Sequence, residues 1–318
     1  MEKTEGPTLG GILSKGDAED DSEDSDVEDD LVADPLEAAL EELDRLIGLD
    51  TVKEEVRELV TLVQNDVKRE KKGLKREEKN LHLVFVGNPG TGKTTVARIV
   101  GKIYRALGVL SRGHTVEVDR EGLVVGYVGQ TATKTKEVIA KAMDGVLFID
   151  EAYSLTPEDP GRDFGKEAVS TLVKEMEDHR ENLAVIVAGY LKEMERFIQS
   201  NTGLRSRFKR QIHFDDYTSA QLHEILLKRL EAKDYFLDEP AEALVKEYIQ
   251  KLYDERDEKF GNAREMRKLS GRLVSKQANR LKEFEDPSVE EMKKITAADV
   301  EAVMEQDVKE AGNDAEDA

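Results

Sequence analysis

The sequence predicts an α/β fold, a parallel five-stranded sheet flanked by helices, followed by a C-terminal helical domain. Three observations carry that expectation. Short apolar runs at residues 81–86, 115–118, 146–149, 183–188 and 211–214 alternate with longer segments of helical period. Strands buried on both faces of a parallel sheet read as near-continuous apolar runs, with helices between them covering the faces. The first run feeds a glycine-rich turn that opens a helix, and the third ends in two adjacent carboxylates. After Asp216 the strand signals stop, and helical patterns remain around 218–233, 240–256, 262–284 and 296–310.

Ahead of the first strand, Leu36, Leu40, Leu43 and Leu46 share one helical face, Ile47-Gly48-Leu49 interrupts, and a second amphipathic run spans 52–71. Before residue 35 nothing is periodic. Residues 17–30 are an Asp/Glu/Ser run with almost no apolar side chain, which cannot offset its ordering entropy. Residues 1–34 therefore read as a disordered acidic segment, either a regulatory tail or a solvated spacer. The expected units are 35–216 for the α/β domain, 217–312 for the helical one and 313–318 for a tail.

Composition narrows the function. With 318 residues, 38% of them apolar, the chain has enough material for an α/β core and a smaller second unit. A net charge of −21 argues against sequence-blind binding to nucleic-acid backbones, which depends on Lys and Arg releasing counterions. No cysteine occurs, so disulfides, thiolate metal sites and Cys nucleophiles are all excluded. The five histidines show no metal-ligand spacing. With no apolar stretch near membrane length and no basic-then-apolar start, the expectation is a soluble cytoplasmic protein without a membrane partner.

The sharpest chemistry lies at residues 87–94, Gly87-Asn88-Pro89-Gly90-Thr91-Gly92-Lys93-Thr94, between a strand and a helix beginning near Thr95. Its glycines let backbone N–H groups turn inward around phosphate oxygens, and the helix N-terminus adds its positive end. Lys93 is the candidate for the β- and γ-phosphates of ATP, and the Thr94 hydroxyl for a Mg²⁺ position. About 55 residues on, Asp150 and Glu151 end an apolar strand at the same sheet edge. Asp150 would hold Mg²⁺ through water, and Glu151 would orient the attacking water, because phosphoryl transfer needs mainly positioning and charge neutralisation.

Six blocks in order, GNPGTGKTTVAR, GYVGQTATKTKEV, GVLFIDEAYSL, VIVAGY, GLRSRF and GNAREMRKL, resemble the AAA+ superfamily. Within it they resemble the CbbX/CfxQ and SpoVK-like group, which includes red-type Rubisco activases, sporulation protein K and the ATPases of type VII secretion. The resemblance spans roughly residues 40–312. It implies an AAA+ core with a helical lid, ATP and Mg²⁺ as cofactors, and a homo-hexameric ring acting on a client protein. It makes Ile47 and Gly48, with Leu49, the adenine-contacting segment. Arg207 matches the arginine finger lent to a neighbouring subunit, with Arg205 second; a surface basic cluster with Lys209 and Arg210 is the other reading. Arg264 matches a sensor arginine of the lid, with Arg267 as fallback.

Tyr127, Val128 and Gly129 occupy the place of the superfamily's first pore loop, where an aromatic on a mobile loop grips an extended peptide; a buried core tyrosine is the alternative. The loop 157–165 is a second pore candidate by position alone. Tyr190 stands where many relatives carry a polar sensor residue, so it either presents its hydroxyl to the attacking water or packs. The resemblance thus implies a motor that threads a client segment through a central pore. Rubisco activation is a narrower version, although the acidic leader is foreign to it. A nucleotide-driven assembly switch with little turnover and a DNA remodeller are the competing classes.

Overall fold

The structure, a computed structural model, describes residues 34–75, 80–127, 129–157 and 164–316. Residues 1–33 of the acidic segment, Val128 of the pore-loop candidate and 158–163 of the second loop lie outside the described residues. Asp34, counted above with the acidic segment, instead caps the first helix: its carboxylate accepts the Leu36 N–H at 2.9 Å, with Pro35 at the first helical position.

Two helices precede the sheet, α1 (Pro35–Asp44) and α2 (Asp50–Lys71). Gly48 and Leu49 join them through left-handed backbone, φ 56° and 60°. β1 (Leu83–Gly87) leads through the phosphate loop into α3 (Lys93–Ala106), followed by β2 (Thr115–Val118), the single turn α4 (Arg120–Leu123) and α5 (Gln130–Ala142). β3 (Gly145–Ile149) passes through a 3-10 turn, Ala152–Leu155, to α6 (Gly165–Asp178), then come β4 (Leu183–Gly189), α7 (Leu191–Gln199), α8 (Thr202–Arg207) and β5 (Arg210–Phe214).

The five strands pair in the order β2-β3-β4-β1-β5, all parallel. Phe85 lies opposite both Ala188 and Ile212. All strands therefore end at one edge, where Gly87, Asp150 and Tyr190 emerge together. Strand alternation divides the core in two. Leu83, Phe85, Phe148, Ile186 and Phe214 pack with α1, α2 and α3; Val84, Val86, Leu147, Val185 and Val187 pack with α5, α6 and α7. Each fully buried aliphatic or aromatic side chain contributes roughly 1.5–3 kcal/mol.

Beyond β5 lie α9 (Ser219–Glu231), β6 (Phe236–Leu237), α10 (Glu239–Asp254), α11 (Ala263–Leu281), α12 (Val289–Lys293), β7 (Lys294–Ile295) and α13 (Ala297–Glu316). The first core continues into them through Leu222, Leu226, Val245, Leu269 and Val300. Here the structure corrects the expectation of helices alone: β6 and β7 form a parallel two-stranded ladder. Two-residue strands are too short to show a period of two, and their pairing comes from tertiary approach. α13 also runs on to Glu316, past the expected end at 310 and into the expected tail.

His82, just ahead of β1, is 4% exposed, and its Nδ1 accepts the Val185 N–H at 3.0 Å. Burial, aided by the positive charge of Arg207, pushes its pKa down to about 4. As pH falls below about 6.5 the unfolded chain takes up a proton that the folded chain refuses until near pH 4. His82's contribution is thus full above pH 6.5 and falls by about 3 kcal/mol on acidification to pH 4. Urea unfolding across that range should show this slope in the native protein and not in His82→Asn; an equal slope in both would remove the assignment.

Candidate nucleotide site

Between β1 and α3 the backbone conformation depends on glycine at two positions above all. Gly90 has φ 74°, and a Cβ there would lie 2.2 Å from the Gly261 carbonyl oxygen. Gly92, at φ 96°, is the N-cap from which α3 starts, so Lys93 is the first helical residue. The Lys93 amine donates to the carbonyls of Gly87 at 2.8 Å and Asn88 at 2.7 Å. Burial lowers its pKa to about 8, against the opposing pull of Asp150.

Above the loop is a cavity of about 780 Å³. Pro89, Gly90, Lys93, Thr94 and Thr95 form its floor, Asp150 and Glu151 one wall. The Asp150 carboxylate accepts the Glu151 N–H at 3.0 Å, and Glu151 sits in left-handed backbone, φ 46°. A non-glycine residue held there marks stored strain of the kind found at functional sites. Tyr190 lines the same cavity, its ring 6.1 Å from that of Tyr153. Burial first, then the charge of Glu151, raises the pKa of both phenols, Tyr153 to about 12. Both therefore keep their protons and remain hydrogen-bond donors.

The remaining wall comes from the C-terminal helices. Arg264 and Arg267 both line it, so the geometry brings in the sensor candidate and its fallback alike. The sequence reading missed Arg98 on α3, Ile225, Lys228 and Arg229 on α9 and Lys233 just beyond its end, all of which line this space. The α9 positions recur at helical spacing, but which way that face turns depends on how the helices fold back. Seven basic side chains against two acidic ones give this cavity a positive balance within a chain of charge −21.

Asn88 and Thr91 brace the loop from behind. Asn88 Nδ2 donates to Asp216 at 3.0 and 3.1 Å, and the fully buried Thr91 donates to the Asn88 carbonyl and accepts at its own carbonyl from the Tyr217 hydroxyl. Asn262, unnoticed in the sequence, closes this network. It is fully buried at φ 49°, donates to Asp216 at 2.7 Å and accepts the Tyr217 N–H at 2.9 Å. Ala263 N–H also reaches the Gly90 carbonyl at 3.3 Å.

Ile47 is half-buried and Gly48 lies under the Gln221 side chain, whose amide oxygen accepts the Thr218 N–H in the capping box of α9. Leu49 approaches Gly92, within 3.4 Å of where a Cβ would stand. Arg207 stands outside the cavity, paired with Glu177 on α6 at 2.8 Å. Tyr127 lies between α4 and α5 and is 70% exposed, which excludes the buried-core alternative. Gly129 is the N-cap of α5 at φ 79°.

Comparison with known proteins gives the family. The model for the ATPase family associated with various cellular activities (AAA) matches residues 83–216, and that for the AAA lid domain matches 218–311. Stage V sporulation protein K of Bacillus subtilis (strain 168) is 43% identical over 241 residues, 76% of this chain and 74% of its own. The chloroplastic ribulose bisphosphate carboxylase/oxygenase activase of Cyanidioschyzon merolae is 42% identical over 274 residues, 86% of this chain and 91% of its own. The FIGL-1 AAA domain in complex with ADP superposes with TM-score 0.57 over 81% of each chain, at 19% identity, a likeness of fold alone. The chain thus belongs to the AAA family of ATPases and is an ATP-hydrolysing enzyme.

Proposed function

We propose that the protein works as a homo-hexameric ring motor that uses ATP hydrolysis to pull a segment of a client protein through its central pore. The observation that carries this reading is Tyr127, an aromatic side chain 70% exposed beside Gly126 and Gly129 and away from the ATP cavity. A large apolar ring left in solvent on a glycine-flanked segment suits gripping polypeptide without reading its sequence.

In this reading Lys93 and the loop N–H groups hold the β- and γ-phosphates, and Ile47 and Gly48 border the base. Glu151 orients the water, Tyr190 donates a hydrogen bond beside it, and Arg264 contacts phosphate from the lid. Arg207, outside its own cavity, serves the neighbouring subunit, which makes assembly a condition of turnover. Mg²⁺ fits the donor set. Thr94 and Asp150 line both the main cavity and an adjoining one of about 360 Å³ that Glu117 and Asp119 also border. Among the described residues no group of three or more acidic or histidine side chains is arranged to hold a metal alone. That suits an ion that arrives with nucleotide and keeps its waters, held by one hydroxyl and one carboxylate. Its chemistry would be to neutralise charge on the phosphate oxygens.

Tyr127→Ala tests the threading reading. With unfolded casein as probe, the native ring should show polypeptide-stimulated ATPase, and Tyr127→Ala should lose the stimulation while keeping basal turnover within about twofold, because the aromatic grip lies outside the phosphate chemistry. Full stimulation in the variant would remove the pore-loop assignment. No helix among the described residues is long and apolar enough to cross a membrane.

A further inference from the structure

The segment that supplies Arg207 holds two arginines in different states. Arg205 is exposed, with one long contact to Gln199 at 3.4 Å. Arg207 is 19% exposed and held on several sides. Its terminal nitrogens donate to the Gly203 carbonyl and the Ser206 hydroxyl, each at 3.2 Å, and to the Glu177 carboxylate at 2.8 Å. Its Nε is buried without a partner. A buried donor left unsatisfied is costly, so the pose is maintained by the contacts around it. Glu177, at the end of α6, also receives Arg180 at 3.4 Å. Ion pairs as exposed as this one contribute little to folding by themselves.

We infer that Glu177 is a positioning residue for in-trans ATP hydrolysis, fixing the Arg207 guanidinium so that its one uncommitted and unburied N–H, the second on the Nη2 that Glu177 holds, meets the neighbouring subunit's nucleotide. This rests on the reading of Arg207 as the group lent between subunits. An arginine side chain has many rotamers, and orienting it before the neighbour's phosphate arrives removes that search from the catalytic step. Glu177 on α6 does this from outside the GLRSRF segment, which is why no motif reveals it. The Arg207 charge also adds to the lowering of the pKa of the buried His82, after burial itself.

Subunit mixing separates positioning from folding. Glu177→Ala alone should assemble and unfold thermally like the native protein, with kcat lowered about tenfold and KM for ATP within about twofold, as expected for a misplaced rather than missing group. Glu177→Asp should recover part of the loss. Mixed with Lys93→Ala subunits, which lack a working phosphate loop but keep a positioned Arg207, Glu177→Ala rings should exceed the summed activities of the two variants assayed apart. Arg207→Ala mixed in the same way is the control. If Arg207→Ala gains from mixing while Glu177→Ala shows native kcat or no gain, the positioning role is overturned and the finger stands. If Arg207→Ala itself gains nothing, the finger reading falls and this inference with it.

Discussion

Arg207→Ala is expected to lower kcat of the assembled ring by about 10³-fold, the lower end of what a guanidinium lent to a γ-phosphate contributes. That corresponds to about 4 kcal/mol of transition-state stabilisation. Because the side chain lies outside its own subunit's cavity and is bonded to Glu177, nucleotide affinity of the isolated subunit should be unchanged. Steady-state ATPase across a range of protein concentrations, beside equilibrium binding of a fluorescent ATP analogue, makes the check. Native turnover should climb with assembly and the variant's should stay flat. A variant that keeps more than a tenth of native kcat would return Arg207 to a surface basic cluster with Lys209 and Arg210.

Glu151→Gln is the second large effect, a fall in kcat of about 10³-fold with ATP still bound, because a positioned base contributes typically 10² to 10⁴. The substitution keeps the size of the side chain at the strained φ of 46° and removes only the charge. Protein incubated with ATP, desalted and quenched in acid should release ATP from the variant and ADP from the native form. ADP released by the variant at near-native rate would move the water-orienting role elsewhere, to Tyr190 before any other group.

Much of the molecule was legible because its strongest signals are local. The runs at 183–188 and 146–149 are apolar since β4 and β3 are covered on both faces, and the loop at 87–94 is a contiguous stretch whose residue types follow from phosphate chemistry. What escaped depends on approach between distant segments. Lys228 and Arg229, with Lys233 just past the helix, read as ordinary surface charge until α9 folds back over the loop. Asn262 looks like a turn residue until Asp216 and Tyr217 arrive beside it, 46 and 45 positions earlier in the chain. Glu177 carries no motif at all. The β6–β7 ladder was hidden by brevity, and the choice between Arg264 and Arg267 is unresolved by proximity because one helical turn brings both to the cavity.

The bonds around Asn262 also have a mechanical meaning. They tie the phosphate loop at Asn88 and Gly90 to the junction at Asp216 and Tyr217 and to the foot of α11. These bonds add to the apolar core that already joins the C-terminal helices to the sheet, and they lead directly from the loop to the foot of α11. On the ring reading, a displacement of the loop would be carried along α11 toward an adjoining subunit. On the same reading a load on α11 would be felt at the loop, and resistance met outside the molecule would register as a change in nucleotide affinity.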